Sequence, residues 1–119
     1  MLVTIADVVD AVEGEQMVPS FQPIVDLRTG TLKGFEVLAR WNHPEHGSIL
    51  PLNFISLAEQ CGLIGMMTDQ VFRAAFAAAK SLPASLELSL NVSPLQMHYT
   101  TLPRQLRESA ELCGFPMDR

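Results

Sequence analysis

Hydrophobic and polar positions change their period repeatedly along this chain, and each change marks an element. After Thr4, a residue type suited to capping a helix N-terminus, Ile5, Val8, Val9 and Val12 recur at helical spacing and predict a leading helix over residues 4–16. The runs SFQPIVDL and TLKGFEVLARW are β-rich, and the RTG between them is too short to join anything but antiparallel neighbours. Pro44, Gly47 and Pro51 punctuate a loop, after which Phe54, Ile55, Leu57 and Ala58 predict a short helix ending at Gly62. From Leu63 to Leu82 the positions Ile64, Met67, Val71, Ala75, Ala78 and Leu82 form one apolar stripe, with Asp69, Arg73 and Lys80 opposite and Pro83 as the stop. Asp69 and Arg73 stand i,i+4 and predict an ion pair on that helix. SLELSLNVS then alternates strictly, Leu86, Leu88, Leu90 and Val92 against Glu87, Ser89 and Asn91, which predicts a third strand. A last helix built on Leu102, Leu106, Ala110 and Leu112 is stopped by Gly114 and Pro116.

The predicted order is helix, hairpin, two helices, strand, helix, with no repeat, linker or low-complexity stretch between them. This describes one unit over 1–119, a leading helix in 1–19 and the body in 20–119. The fold class is α/β, with three strands and helices on one face of the sheet. The helical crossover makes the second and third strands parallel, and the hairpin adds one antiparallel strand. A closed eight-stranded (β/α) barrel takes roughly 200–250 residues, so any barrel signature in these 119 residues belongs to an incomplete barrel.

Charge narrows the partners. Eight Lys and Arg stand against 13 Asp and Glu, and a net charge of −5 supplies no basic footprint for a nucleic acid polymer. A small phosphorylated ligand remains compatible, because one or two placed cations hold it locally. No apolar run is long enough to span a membrane and the N-terminus lacks a basic n-region, so a cytoplasmic location is expected. Cys61 and Cys113 lie far apart with no C-x-x-C pattern, which favours two reduced, core-type thiols over a zinc or redox pair, with a long-range disulfide as the lesser alternative.

Chemistry emerges from asking which side chains share a face. In the second strand Phe35, Val37, Ala39 and Trp41 suit a helix-covered face, and Glu36, Leu38 and Arg40 point the other way. Hairpin pairing about RTG brings Gln22 near Glu36 and Leu38, and Asn91 opposes the leucine face of the third strand. Gln22, Glu36, Arg40 and Asn91 therefore gather on one surface, the last three toward the C-terminal ends of parallel strands, where α/β sites assemble. A carboxylate beside an amide carbonyl offers the hard oxygens that Mg²⁺ or Mn²⁺ prefers, and an Arg supplies a fork for phosphate. On periodicity alone, a strand Glu paired with a strand Arg is also what an ordinary salt bridge looks like.

The segments FQPIVDLRTGTLKGFEVLARWNHPEHG, PLNFISLAEQCGLI and LELSLNVSPLQ, in this order and spacing, resemble the N-terminal half of the EAL-domain family from about Ser20 to Arg119. That family resembles TIM barrels with one antiparallel strand, and its active members hydrolyse cyclic di-GMP to pGpG with two divalent metals. The resemblance implies that Glu36 and Asn91 would be metal ligands. Gln22, Leu38, Arg40 and Pro51 would contact the nucleotide, with Arg40 facing a phosphate and Pro51 a guanine. The signature tripeptide reads Glu36, Val37, Leu38, with Val in place of Ala at a position directed away from the site. The family's remaining catalytic parts, a further metal-binding Glu, an Asp-Asp pair, a Lys, and a late Glu and Gln, have no counterpart here. The expectation is a chain that is inactive alone, binds Mg or Mn and cyclic di-GMP weakly or not at all, and forms a homo-oligomer through its open sheet edge. The alternative is a non-catalytic nucleotide receptor or protein-binding adaptor. His43, Glu45 and His46 suggest a small metal cluster, but their Pro/Gly loop suits a solvated turn better, and His98 carries no assignment. Met66, Met67 and the stretch Ala74–Ala79 serve as core and helix packing.

Overall fold

A computed structural model describes residues 3–92, 96 and 102–119; His98 lies outside the described residues. The leading helix, α1, spans Ile5–Glu13 and begins with a reciprocal capping box. The Asp7 N–H donates to Thr4 Oγ1 at 3.2 Å and the Thr4 N–H donates to Asp7 Oδ2 at 2.9 Å. The helix stops short of residue 16 because Gly14 caps it and Glu15 turns the chain at φ 52°. That turn lets strand β1 start at Met17, earlier than Ser20, and run to Val25.

The β1–β2 turn is built by Asp26, whose Oδ1 accepts from the N–H groups of Arg28 at 2.8 Å and Thr29 at 3.3 Å. Gly30 completes it at φ 70°, a left-handed conformation open to glycine at no steric cost. Strand β2, Leu32–His43, then pairs antiparallel with β1 in a register that places Gln22 opposite Glu36 and Ser20 opposite Leu38. The sheet has four strands where the alternation predicts three. The addition is β3, Gly47–Ile49, only 3 residues long and therefore too short to show a period of its own. It pairs antiparallel with the end of β2, Trp41 opposite Ile49. A 3-10 turn at Pro51–Asn53 leads to α2, Ile55–Gln60, and α3, Ile64–Ala79. Strand β4, Glu87–Leu90, joins β2 in parallel along the edge that β3 also occupies, as the crossover requires. Helix α4 spans Leu102–Leu112.

The core lies on one face of this sheet. Met17, Val37, Trp41 and Ile49 are buried with Val8, Ala11 and Val12 of α1, Phe54 before α2, and Met67, Val71, Phe72, Ala75 and Phe76 of α3. Phe21, Leu88 and Leu90, from the same face, pack against that cluster. Each large buried side chain contributes on the order of 1.5–3 kcal/mol. Trp41 is fully buried, meets Phe54 edge to face at 5.7 Å between ring centres, and satisfies its indole N–H with Gln16 Oε1 at 2.9 Å. Asp69 ties α3 to α4: it pairs with Arg73 Nε at 2.8 Å and accepts from Ser109 Oγ at 2.6 Å. The start of β4 is clasped by Arg119, which donates from Nε to Leu86 O at 3.0 Å and from Nη2 to Pro83 O at 2.9 Å, while its carbonyl accepts the Leu88 N–H at 2.8 Å. Cys61 and Cys113 are free thiols, half-buried against the core. Among the described residues, no helix is long and apolar enough to cross a membrane.

Candidate functional site

The second face of the sheet carries the polar residues. Glu36, Leu38 and Arg40 project from β2 on the side away from the core and are partly exposed; Gln22 on β1 is exposed and stands in register with Glu36. In the parallel pairing Glu36 lies opposite Ser89, so Gln22, Glu36 and Ser89 form one row across three strands. Asn91 follows the end of β4 on the same face as Ser89 and reaches back along the strand direction. Its Nδ2 donates to Glu36 Oε1 at 2.9 Å, joining residues separated by 55 positions. The contact exists because β2 and β4 are parallel and their pairing begins at Gly34 and Glu87, which brings the residue past the end of β4 level with the middle of β2.

Arg40 sits one face-position beyond Leu38 and opposite Val18. Its Nη1 donates to the neighbouring Ala39 carbonyl at 3.0 Å, which leaves the other guanidinium nitrogen donors for a ligand. No ion pair joins Arg40 to Glu36; among the described residues the one salt bridge is Asp69–Arg73. Pro51 is half-buried at the start of the 3-10 turn that follows β3, on the segment leaving the same end of β2. The structure thus unites Glu36 and Asn91 by direct contact, sets Gln22, Leu38 and Arg40 on the same face, and puts Pro51 on a neighbouring loop. Ser20 and Ser89, opposite Leu38 and Glu36, share this face; alternation already put Ser89 beside Asn91, whereas Ser20 went unassigned. Strand register is the signal that identifies their partners.

The donor set suits a divalent cation in kind, since a carboxylate and an amide both present hard oxygens once the Asn91 amide turns its carbonyl toward Glu36. It does not suit one in number. Hard cations take about six oxygen ligands, and among the described residues no three His, Cys, Asp or Glu side chains are grouped to hold a metal. His43 and His46, with ring centres 4.5 Å apart, belong to the β2–β3 turn. No hydrolytic step follows from two ligands bearing a single negative charge.

Known proteins share this fold and much of this sequence. The chain is 45% identical over 87 residues to the probable cyclic di-GMP phosphodiesterase PdeG of Escherichia coli K12, an alignment covering 70% of this chain and 17% of that protein. Among solved structures it superposes on the PaMucR phosphodiesterase in its c-di-GMP complex with a TM-score of 0.79 at 31% identity, covering 93% of this chain and 47% of that one. The FimX EAL domain of Pseudomonas aeruginosa, bound to c-di-GMP, shares the fold with a TM-score of 0.81 at 22% identity, over 94% of this chain and 46% of that one. The chain thus spans just under half of these solved chains. The model of the EAL domain family matches residues 5–115, nearly the whole sheet-and-helix body just described, and the chain belongs to that family.

Proposed function

We propose that this chain forms the first half of a cyclic di-GMP site in bacterial second-messenger signalling, on the cytoplasmic side of the cell. The supporting observation is the Asn91–Glu36 contact at 2.9 Å, which no core-packing demand explains because both groups lie on the sheet face away from the core. In this reading Arg40 faces a phosphate of the ligand through its free guanidinium donors, Gln22 and Leu38 contact the nucleotide, and Pro51 borders a guanine. Glu36 and Asn91 would supply two of the ligands of a Mg or Mn ion, too few for this chain to hold it tightly by itself; such an ion would neutralise phosphate charge and acidify a coordinated water. With one carboxylate to offer, the 119-residue chain by itself does not turn over the dinucleotide. Its uncovered sheet face and edge favour self-association, which sedimentation at high concentration would contradict by returning only compact monomer.

Calorimetric titration with cyclic di-GMP and Mg²⁺ tests the reading. Arg40→Ala is expected to weaken whatever binding the chain shows by roughly tenfold, the worth of a charge-assisted pair on a partly exposed surface. Equal affinity for the variant would overturn the assignment of Arg40. Hydrolysis by the chain alone would overturn the half-site. The single negative charge also favours a second reading, a non-catalytic receptor or adaptor. A protein that binds the dinucleotide without divalent metal is a receptor; one that never binds it is an adaptor.

A further inference from the structure

The turn joining β2 to β3 is a three-residue loop, Pro44, Glu45 and His46, closed between the paired residues His43 and Gly47, with Gly47 at φ 71°. The first position of such a turn favours Asp, Asn or Ser, whose side-chain oxygens accept from the backbone N–H groups that follow. His43 fills that role with a ring nitrogen. Its Nδ1 accepts from the Glu45 N–H at 3.0 Å and from the His46 N–H at 3.2 Å. Both bonds require the Nδ1 lone pair, so the ring is neutral and carries its proton on Nε2. An Asn oxygen would accept at any pH, but imidazole gains a proton over the range near neutrality. The lone pair that takes this proton is the one the turn uses.

We propose that His43 is a proton-operated brace of the β2–β3 hairpin. When Nδ1 is protonated, an N–H is set against two N–H donors, both bonds are lost, and the loop end of a strand only 3 residues long is released. The charged and titratable groups around the ring are Asp7 of α1, whose carboxylate interacts with both histidines, Glu45 within the loop, and His46, its ring centre 4.5 Å away. Trp41 lies 5.5 Å away as a neutral neighbour. The released segment leads through Leu50 to Pro51. The brace is a property of the hairpin and holds whether or not this face binds a nucleotide.

Amide NMR of the whole chain from pH 8 to pH 5 reads it out. The Glu45 and His46 N–H resonances are expected to move with one midpoint, identical to that of the His43 ring. Their exchange, corrected for the intrinsic pH dependence, should quicken roughly tenfold below that midpoint as the bonds are lost. His43→Asn is expected to keep the turn and abolish the step, whereas His46→Asn keeps the step. A step that survives in His43→Asn, or amides that stay still while His43 titrates, would overturn the brace. Should the Asn variant not fold, the ¹⁵N shifts of the wild-type ring decide: a bare, hydrogen-bonded Nδ1 supports the proposal and a protonated Nδ1 at pH 8 refutes it.

Discussion

Replacing Gly34 by Ala tests how closely β2 and β4 approach. A Cβ at this position would fall 2.8 Å from the Glu87 carbonyl carbon and 2.9 Å from the Glu87 nitrogen, and closer still to the Glu87 oxygen. All three are backbone atoms of the opposing strand, so no rotamer relieves the clash. Relief needs the first of the β2–β4 pairs, Gly34 with Glu87, to open by about 1 Å, because ordinary carbon contacts lie near 3.5–4.0 Å. Forcing extra volume into a packed site costs typically 1–3 kcal/mol, and an opened ladder bond adds about 1 kcal/mol, so the loss should be about 2–4 kcal/mol. Urea unfolding would show it as a midpoint lower by roughly 1–2 M at a slope of ~2 kcal/mol/M. Gly65 in α3 is the matched control, since a Cβ there meets nothing within 4 Å. Gly65→Ala should stabilise by about 0.5–1 kcal/mol through helix propensity and a less disordered unfolded chain. If Gly34→Ala unfolds at the wild-type midpoint, the strands are not held at the distance described, and the Glu36–Asn91 contact two positions beyond Gly34 loses its geometric basis.

Two further outcomes follow from the core and the first helix. Hydrogen bonds from the Thr4 N–H, then from its hydroxyl, hold the Asp7 carboxyl below its ordinary value of 3.8. The ionised form therefore stabilises the folded state above the unfolded-state value, and this contribution disappears as pH falls through the lower folded-state value. The difference in urea midpoint between wild type and Asp7→Asn should shrink as pH falls below about 4; a difference that persists at pH 2.5 would contradict the capping box. Trp41→Phe leaves part of a fully buried site unfilled and strips Gln16 Oε1 of its donor. A loss of about 2–3 kcal/mol is expected from thermal or urea unfolding, and a loss under 0.5 kcal/mol would show that the indole is not packed as described.

Patterning made the long-period features legible. The hairpin register, the stripe of α3, the Asp69–Arg73 pair and the parallel placement of β4 all follow from alternation or helical spacing sustained over several residues. Strand β3 was not legible because 3 residues hold no period, and only the extended β2 beside it recruits them. The early start of β1 was hidden because Gly14 marks only the end of α1, while the left-handed turn that redirects the chain falls on Glu15, a residue type that does not advertise it. At the site, alternation and hairpin pairing assigned Glu36, Arg40, Gln22 and Asn91 to one face, with Ser89 beside Asn91, but the pairing of Ser20 with Leu38 and of Ser89 with Glu36 needed cross-strand register, which lies between segments and in neither one. The Arg119 clasp on β4 is a contact between residues 33 and 36 positions apart that no local pattern encodes.

The division of labour between the two faces decides how variants of the site can be interpreted. Strand residues in or against the hydrophobic cluster, Met17, Phe21, Val37, Trp41, Leu88 and Leu90 among them, come from the face covered by helices. Gln22, Glu36, Arg40 and Asn91 come from the other. Removing a polar tip there takes away no buried hydrocarbon and creates no cavity, so truncation should move stability by no more than a surface substitution does, within about 0.5 kcal/mol. Asn91 and Glu36 share a bond but lie at the surface, where water replaces a lost partner at small cost. A binding defect in such a variant is then a defect of recognition rather than of folding. Gly34 is the exception that couples the faces, because it belongs to the backbone approach that fixes the register for both.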